Sequence, residues 1–265
     1  MNHKIAVAQF EIKVGSPSEN IAKGLSFVDK AIEQNVRLVI LPELWTSGYD
    51  LDNCGQYIDT NQKVTADLHS RADQNNIMIG GSYITQDYDG YRNTFLLIQP
   101  HENNTAAYQK IHLFKLLDEP QYFTAGSQVT VQNTPLGRVG LAICYDVRFP
   151  EMFRVYSREN VDLILVSAEW GIQRQDHWRT LLRARAIENQ AFVIAANSVG
   201  PLFETASAGF SAVIDPWGNV LAEANGSDEC LLTAEIDLEE IKTAEEKISS
   251  REDARNDLYS KWLST

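Results

Sequence analysis

Three apolar runs in this chain each stop at a side chain that can do chemistry, and no other pattern narrows the fold as much. Leu38-Val-Ile-Leu-Pro-Glu43 ends at a glutamate, Ala107-Tyr-Gln-Lys110 at a lysine, and Val139-Gly-Leu-Ala-Ile-Cys144 at a cysteine. The run before Cys144 reads as a buried strand that stops at the thiol, with a turn and then a helix behind it in Tyr145-Asp-Val-Arg-Phe-Pro150. A thiol held at such a corner has the next backbone N–H groups pointing the same way, as an acyl-transfer nucleophile requires.

The remaining segments supply the layers around those strands. Lys4 to Ile12 reads as a strand, and Ser18 to Gln34 as a helix with Ile21, Leu25, Val28 and Ile32 at helical spacing and Ser18 placed to cap it. Val36 to Leu41 is apolar throughout, as in a strand buried on both faces. A helix is expected over Val64 to Asn75, then strands over Ile77 to Ile84 and Arg92 to Ile98 across a polar turn. Val129 to Thr134 and Arg138 to Ile143 read as a hairpin turning at Pro135-Leu-Gly137. Helix, strand, helix and strand follow at Pro150 to Glu159, Asp162 to Ser167, Asp176 to Gln190 and Phe192 to Asn197. Ala208 to Ile214 and Val220 to Ala224 flank the turn Asp215-Pro-Trp-Gly-Asn219, and a strand over Leu231 to Ile236 precedes an acidic helical tail. Strands alternating with helices indicate an α/β fold, although periodicity leaves open whether there is one sheet or two.

Composition sets the limits. With 265 residues, 44% of them apolar, and no Pro/Gly/Ser-rich linker, residues 1–265 are expected to form one domain. The net charge of −13 argues against nucleic acid or an anionic membrane as partner, and no segment approaches the ~20 apolar residues of a membrane span. The N-terminus lacks the apolar core of a signal peptide. The 3 cysteines, Cys54, Cys144 and Cys230, are scattered, forming neither a disulfide framework nor a zinc motif, which fits a reducing cytoplasm. Phosphate loops and the Gly-x-Ser-x-Gly elbow are missing too, so neither a nucleotide enzyme nor a Ser-His-Asp hydrolase is expected, and no cofactor or metal is called for.

The contexts of the three reactive residues resemble the nitrilase superfamily, the carbon–nitrogen hydrolases. Leu41-Pro-Glu-Leu-Trp-Thr-Ser-Gly-Tyr49 is similar to the family's first catalytic motif, and Gly140-Leu-Ala-Ile-Cys-Tyr-Asp-Val-Arg-Phe-Pro-Glu151 to the nucleophile motif. Tyr108-Gln-Lys-Ile-His-Leu-Phe114 resembles the second motif, with Gln109 where the family usually has arginine. The resemblance implies a four-layer αββα sandwich of two mixed sheets flanked by helices, usually dimerised through a helical face. It also implies roles: Glu43 as general base, Lys110 as oxyanion stabiliser and Cys144 as nucleophile. Glu119 would be a fourth carboxylate that positions the lysine and substrate, with Asp118 beside it as its competitor. His112 is expected to be structural, and Cys54 and Cys230 to be core thiols.

Tyr145-Asp-Val-Arg148, Ala168-Glu-Trp-Gly171 and the stretch His177 to Gln190 look like the ω-amidase branch, whose members hydrolyse 2-oxoglutaramate and related ω-monoamides. A substrate with a carboxylate at one end and an amide at the other suits a guanidinium near the nucleophile. Arg148 either clamps that carboxylate or pairs with Glu151 or Asp146. Trp170 and Tyr145 are the further candidates for contact with the small-molecule amide, and the helix from Asp176 is expected to serve as scaffold and dimer surface. Two other readings stand beside this one: a nitrilase or N-carbamoyl hydrolase, and a non-catalytic binding protein on the same fold.

Overall fold

Two six-stranded mixed sheets pack face to face, with helices on both outer faces. The computed structural model of the chain describes residues 2–102 and 105–262. Residues 1, 103, 104 and 263–265 lie outside that description, and with them both ends of the span expected to form one domain.

In chain order the strands are β1 (Asn2–Gln9), β2 (Leu38–Ile40), β3 (Met78–Asp87), β4 (Gly90–Ile98), β5 (Ala106–Gln109), β6 (Val131–Thr134), β7 (Gly137–Ile143), β8 (Leu163–Ala168), β9 (Phe192–Asn197), β10 (Pro201–Leu202), β11 (Thr205–Ala206), β12 (Ala212–Ile214), β13 (Val220–Glu223) and β14 (Cys230–Asp237). The helices are α1 (Pro17–Glu33), α2 (Ile58–Asn75), α3 (Glu119–Tyr122), α4 (Pro150–Arg158), α5 (Gln175–Asn189), α6 (Glu239–Lys247) and α7 (Asn256–Trp262). One sheet runs β14-β1-β2-β3-β4-β5, the other β13-β12-β9-β8-β7-β6, and β10 and β11 pair separately. Each large sheet has a parallel trio at its centre, β1-β2-β3 and β7-β8-β9, with antiparallel strands on either side.

The strand period of two divides the apolar side chains of the first sheet between two cores. Ile5, Val7, Leu38 and Ile40 share one cluster with Val139, Leu141, Leu165 and Ile194 of the second sheet. Their neighbours Ala6, Ala8, Val39 and Leu41 pack instead with Phe27 and Val28 of α1 and Val64 and Leu68 of α2. On the far side, α4 and α5 cover the second sheet through Phe153, Tyr156, Trp178 and Leu182. Truncating any one of the fully buried leucines would cost about 2–5 kcal/mol.

Three local expectations need correction. Ser16, not Ser18, is the residue before α1, and it makes no side-chain capping bond; Pro17 at the first helical position fixes φ and starts the helix without one. Next, α2 begins at Ile58, six residues before the expected Val64, because a 3₁₀ turn over Leu51–Tyr57 runs directly into it while its buried apolar residues begin only at Val64. Lastly, β12 starts at Ala212 rather than Ala208, the preceding residues forming a loop bonded to Trp170 and Ser198.

The topology brings the reactive residues to one place. Glu43 lies three residues beyond β2, Lys110 directly after β5, and Cys144 directly after β7. The two sheets are joined there by bonds from Ser167 Oγ to the Leu41 carbonyl (2.5 Å) and from Glu43 N–H to the Ala168 carbonyl (3.3 Å). Gly24 of α1 seats the Glu43 loop, since a Cβ on it would stand 2.3 Å from the Trp45 ring.

Candidate active site

Cys144 occupies a left-handed backbone conformation, φ 44°, where β7 turns into a 3₁₀ helix over Cys144–Arg148. A non-glycine residue there carries strain of order 1–3 kcal/mol and persists only when its surroundings over-determine it. Asp146 provides that restraint. Its buried carboxylate accepts from Ile143 N–H at 2.9 Å and Tyr108 OH at 2.8 Å, and also from His112 N–H at 3.2 Å and His112 Nδ1 at 2.8 Å. The cysteine corner and the loop after Lys110 are thereby bound to one group. His112, stacked on Phe149 at 3.7 Å, belongs to this frame rather than to the reacting centre.

Glu43, Lys110 and Glu119 form a dry ion cluster, with relative exposures of 0%, 1% and 0%. Lys110 Nζ donates to Glu43 Oε1 at 2.7 Å and to Glu119 Oε1 at 2.6 Å. Glu43 also accepts from Asn93 Nδ2 at 2.7 Å and, through Oε2, from the Glu169 backbone N–H at 3.0 Å. Glu119 accepts from Tyr49 OH at 2.8 Å and the Phe114 N–H at 2.7 Å. Burial would push Lys110 towards the neutral amine, but Glu119 and Glu43 more than reverse that and hold it as an ammonium well above the usual lysine range. Burial raises the Glu119 carboxyl while Lys110 opposes the rise. Asp118 takes no part in the cluster: it ends the preceding 3₁₀ turn with φ 54° and bonds Gln121.

Glu43 and Lys110 both act on the Cys144 thiol electrostatically. Burial, then the Glu43 charge, push that thiol well above its ordinary value, with Lys110 pulling the other way. The Cys144 thiol is therefore neutral at rest, next to the Glu43 side chain. The other cysteines differ. Cys54 is buried and donates to the Leu51 carbonyl, its thiol pushed up to about 11, while Cys230 lies half-buried in β14.

A narrow pocket opens onto the thiol, lined by Phe114, Cys144, Tyr145, Arg148, Glu169, Trp170, Gly171, Arg174 and Leu202. Tyr145, Arg148 and Trp170, all singled out from the sequence, are among them. The Arg148 guanidinium lies 4.6 Å above the Trp170 ring and reaches His177 Nδ1 at 3.3 Å. Neither Glu151 nor Asp146 is its partner; among the described residues no carboxylate comes within 4.0 Å of Arg148 or Arg174. Tyr145 packs between Phe114 and Phe149, at 4.7 and 5.1 Å between ring centres.

Two charged pocket residues were not singled out from the sequence. Glu169 follows β8 just as Cys144 follows β7, so its signal, an apolar run ending in a charged residue, was in plain view. Arg174 closes a short 3₁₀ turn with no apolar run before it and offered no such signal. Arg185, in the helix expected to serve as scaffold, is buried, bonding the Val147 carbonyl at 3.0 Å and Glu188 at 2.6 Å. Among the described residues no group of three or more His, Cys, Asp or Glu is placed to hold a metal ion, and no helix is long and apolar enough to cross a membrane.

Known proteins resemble this chain in sequence and in fold. Residues 4–246 match the family model described as carbon-nitrogen hydrolase. A 2-oxoglutaramate amidase of Bacillus subtilis is 39% identical over 98% of this chain and 100% of its own length. An omega-amidase of Homo sapiens is 31% identical over 97% of this chain and 96% of its own. Among solved structures, a CN-hydrolase superfamily protein from Xanthomonas campestris, with an arsenic adduct in its active site, superposes with a TM-score of 0.88 at 29% identity, covering 97% of this chain and 98% of that one. A variant of an amidase from Nesterenkonia, carrying acrylamide added at its active-site cysteine, gives 0.86 at 26% identity over 98% and 99%. Strand-end residues, paired six-stranded sheets and full-length similarity lead to one conclusion: the chain belongs to the carbon–nitrogen hydrolase family.

Proposed function

We propose that the enzyme hydrolyses the terminal amide of small ω-monoamides of dicarboxylates, such as 2-oxoglutaramate, through a thioester on Cys144. The observation that carries the proposal is the Lys110 ammonium fixed between Glu43 and Glu119 in a water-poor site beside the thiol. Glu43 takes the thiol proton while Sγ forms a bond to the amide carbon, and the carbonyl electron pair moves onto oxygen. Lys110 and the backbone N–H that follows Cys144 stabilise this oxyanion, a type of contribution worth about 10²–10³-fold. The C–N bond then breaks, Glu43 returns its proton to nitrogen, and ammonia leaves. A water molecule gives a proton to Glu43, attacks the thioester and releases the acid as the thiol is restored. Glu119 is a second partner of Lys110 and keeps it charged through the cycle.

The carboxylate end of the substrate is assigned to Arg148, with Arg174 beside it. Two guanidiniums lining one pocket without a carboxylate partner, in a chain of net charge −13, favour an anionic ligand there. Trp170 forms the wall under Arg148, and Tyr145 lines the pocket beside the nucleophile. The named activity of the Bacillus relative supports the same substrate class.

We further propose that residues 1–265 work as one domain and that two copies associate through the face formed by α4, α5 and the C-terminal segment. Val155, Ile187, Ile248 and Tyr259 are exposed around that groove, an apolar surface that a second copy would cover. Three free thiols suit a reducing cytoplasm. The test of function is ammonia release from 2-oxoglutaramate, glutamine, asparagine, simple nitriles and carbamoyl amino acids. Preference for 2-oxoglutaramate is expected. Preference for a nitrile or ureido compound would move the enzyme to another branch of the family.

A further inference from the structure

We infer that Glu169 is a specificity residue: a neutral carboxylic acid that donates a hydrogen bond to an oxygen on the substrate's carbon chain, beyond the scissile amide. The inference rests on the amide-hydrolase reading above and adds to it the feature that the pocket selects.

Glu169 is 2% exposed, follows β8 directly, and lines the pocket together with Cys144, Arg148, Trp170 and Arg174. Its backbone N–H is engaged with Glu43 Oε2 at 3.0 Å, which fixes its position relative to the reacting centre. Its side chain is a different matter: among the described residues, Oε2 is buried with no hydrogen-bond partner, and neither pocket guanidinium lies within 4.0 Å of it. A buried polar group left unsatisfied in a native site calls for an explanation. An ionised carboxylate in that place would be desolvated, unpaired and next to the Glu43 charge, and both burial and Glu43 accordingly hold Glu169 well above the usual carboxylate range. The protonated form is a donor, as when a carboxylic acid kept neutral in an apolar site binds a substrate oxygen.

What it donates to follows by elimination within the pocket. The scissile carbonyl oxygen is assigned to Lys110, and the terminal carboxylate to the two arginines. The remaining acceptor is an oxygen between them, an oxo or hydroxyl group. A ligand with an ammonium at that carbon would bring a donor to a donor, beside two guanidiniums.

The experiment compares 2-oxoglutaramate with the monoamide of glutarate, which has the same length and charge but lacks the oxo oxygen. Wild type should favour the oxo compound in kcat/KM by about tenfold or more. Glu169→Gln, which keeps a neutral donor, should retain most of that preference. Glu169→Leu should erase it, lowering kcat/KM on the oxo compound about tenfold more than on the plain monoamide. Equal losses on both compounds in Glu169→Leu, or a Gln variant that behaves like Leu, would overturn the assignment while leaving the amidase reading intact. Wild type inactive on both compounds would instead bring down the amidase reading itself, and this inference with it. A second readout does not depend on the leucine variant folding. Infrared difference spectra of Cys144→Ala should show a protonated-carboxyl band, absent when Glu169→Gln is added, that shifts on binding 2-oxoglutaramate and not the plain monoamide. No such band would refute a neutral Glu169.

Discussion

Replacing Arg148 with methionine isolates the charge of the proposed carboxylate clamp from its packing. The guanidinium stands 4.6 Å over the Trp170 ring, and the unbranched methionine side chain can keep much of that contact. The lost cation–π term is worth about 0.5–1 kcal/mol, so thermal stability should fall only slightly. The substrate term is larger. A hydrogen bond to a charged group contributes about 1.5–3 kcal/mol, and at about 1.4 kcal/mol per decade its loss is one to two decades in kcat/KM. Arg174 remains in the same pocket and retains part of the field, which places the single variant near the lower figure, about tenfold. Adding Arg174→Met should bring the loss to about a hundredfold or more. The assay is ammonia release from an ω-monoamide and from a neutral amide of equal length. The neutral compound, intrinsically poor, should change little because it never used the arginine. Comparable losses on both substrates, with a lowered melting temperature, would show that Arg148 is structural and that the clamp assignment is wrong.

Other substitutions test the surrounding parts. Glu43→Gln keeps the shape but removes the base, so thioester formation and hydrolysis should both slow by about 10²–10⁴-fold in single-turnover and steady-state assays; a near-normal rate would reassign the role, with Glu119 the first alternative. Lys110→Ala should lower kcat by about 10²–10³-fold while substrate still binds in equilibrium titration. Asp146→Asn removes the charge that four donor groups share at the cysteine corner, and chemical denaturation should show a loss of about 3 kcal/mol or more. The pH dependence of stability should carry a signature of Cys54, whose thiol is raised from 9.0 to about 11 by burial. A raised value favours the folded state fully below the unfolded value and loses that contribution as pH climbs through the folded one. Between pH 9.0 and about 11, Cys54→Ala should therefore lose less stability in thermal melts than wild type does. An unchanged slope would contradict that origin.

Strand ends were the legible part of this molecule. Glu43 and Cys144 each follow a run whose apolar continuity marks it as strand, whereas Lys110 follows a shorter run ending in Gln109 and stands out through its motif; the fold gathers all three at one end of the paired sheets. Glu119 could be picked out only through its motif, because an acidic residue in a loop looks solvated until the burial around Lys110 is seen. Whether there was one sheet or two was legible only through the family resemblance: the local period says which residues share a face, not which face meets which. The start of α2 was missed for a related reason, since between Ile58 and Val64 the helix is polar and adds nothing to the periodic stripe. Arg185 shows a second limit. A guanidinium counts as polar in any pattern, yet here it is buried over the Phe153 ring, with a carbonyl and Glu188 as its hydrogen-bond partners.

The central claim is the covalent intermediate, and mass spectrometry of the quenched enzyme tests it most directly. Wild type mixed with 2-oxoglutaramate and acid-quenched during turnover should gain the mass of the acyl group, located on the peptide that contains Cys144. Cys144→Ala should show neither adduct nor turnover, while Cys54→Ala and Cys230→Ala should show both. An acyl group on another residue, or a Cys144→Ala variant that still releases ammonia at the wild-type rate, would contradict the thioester mechanism.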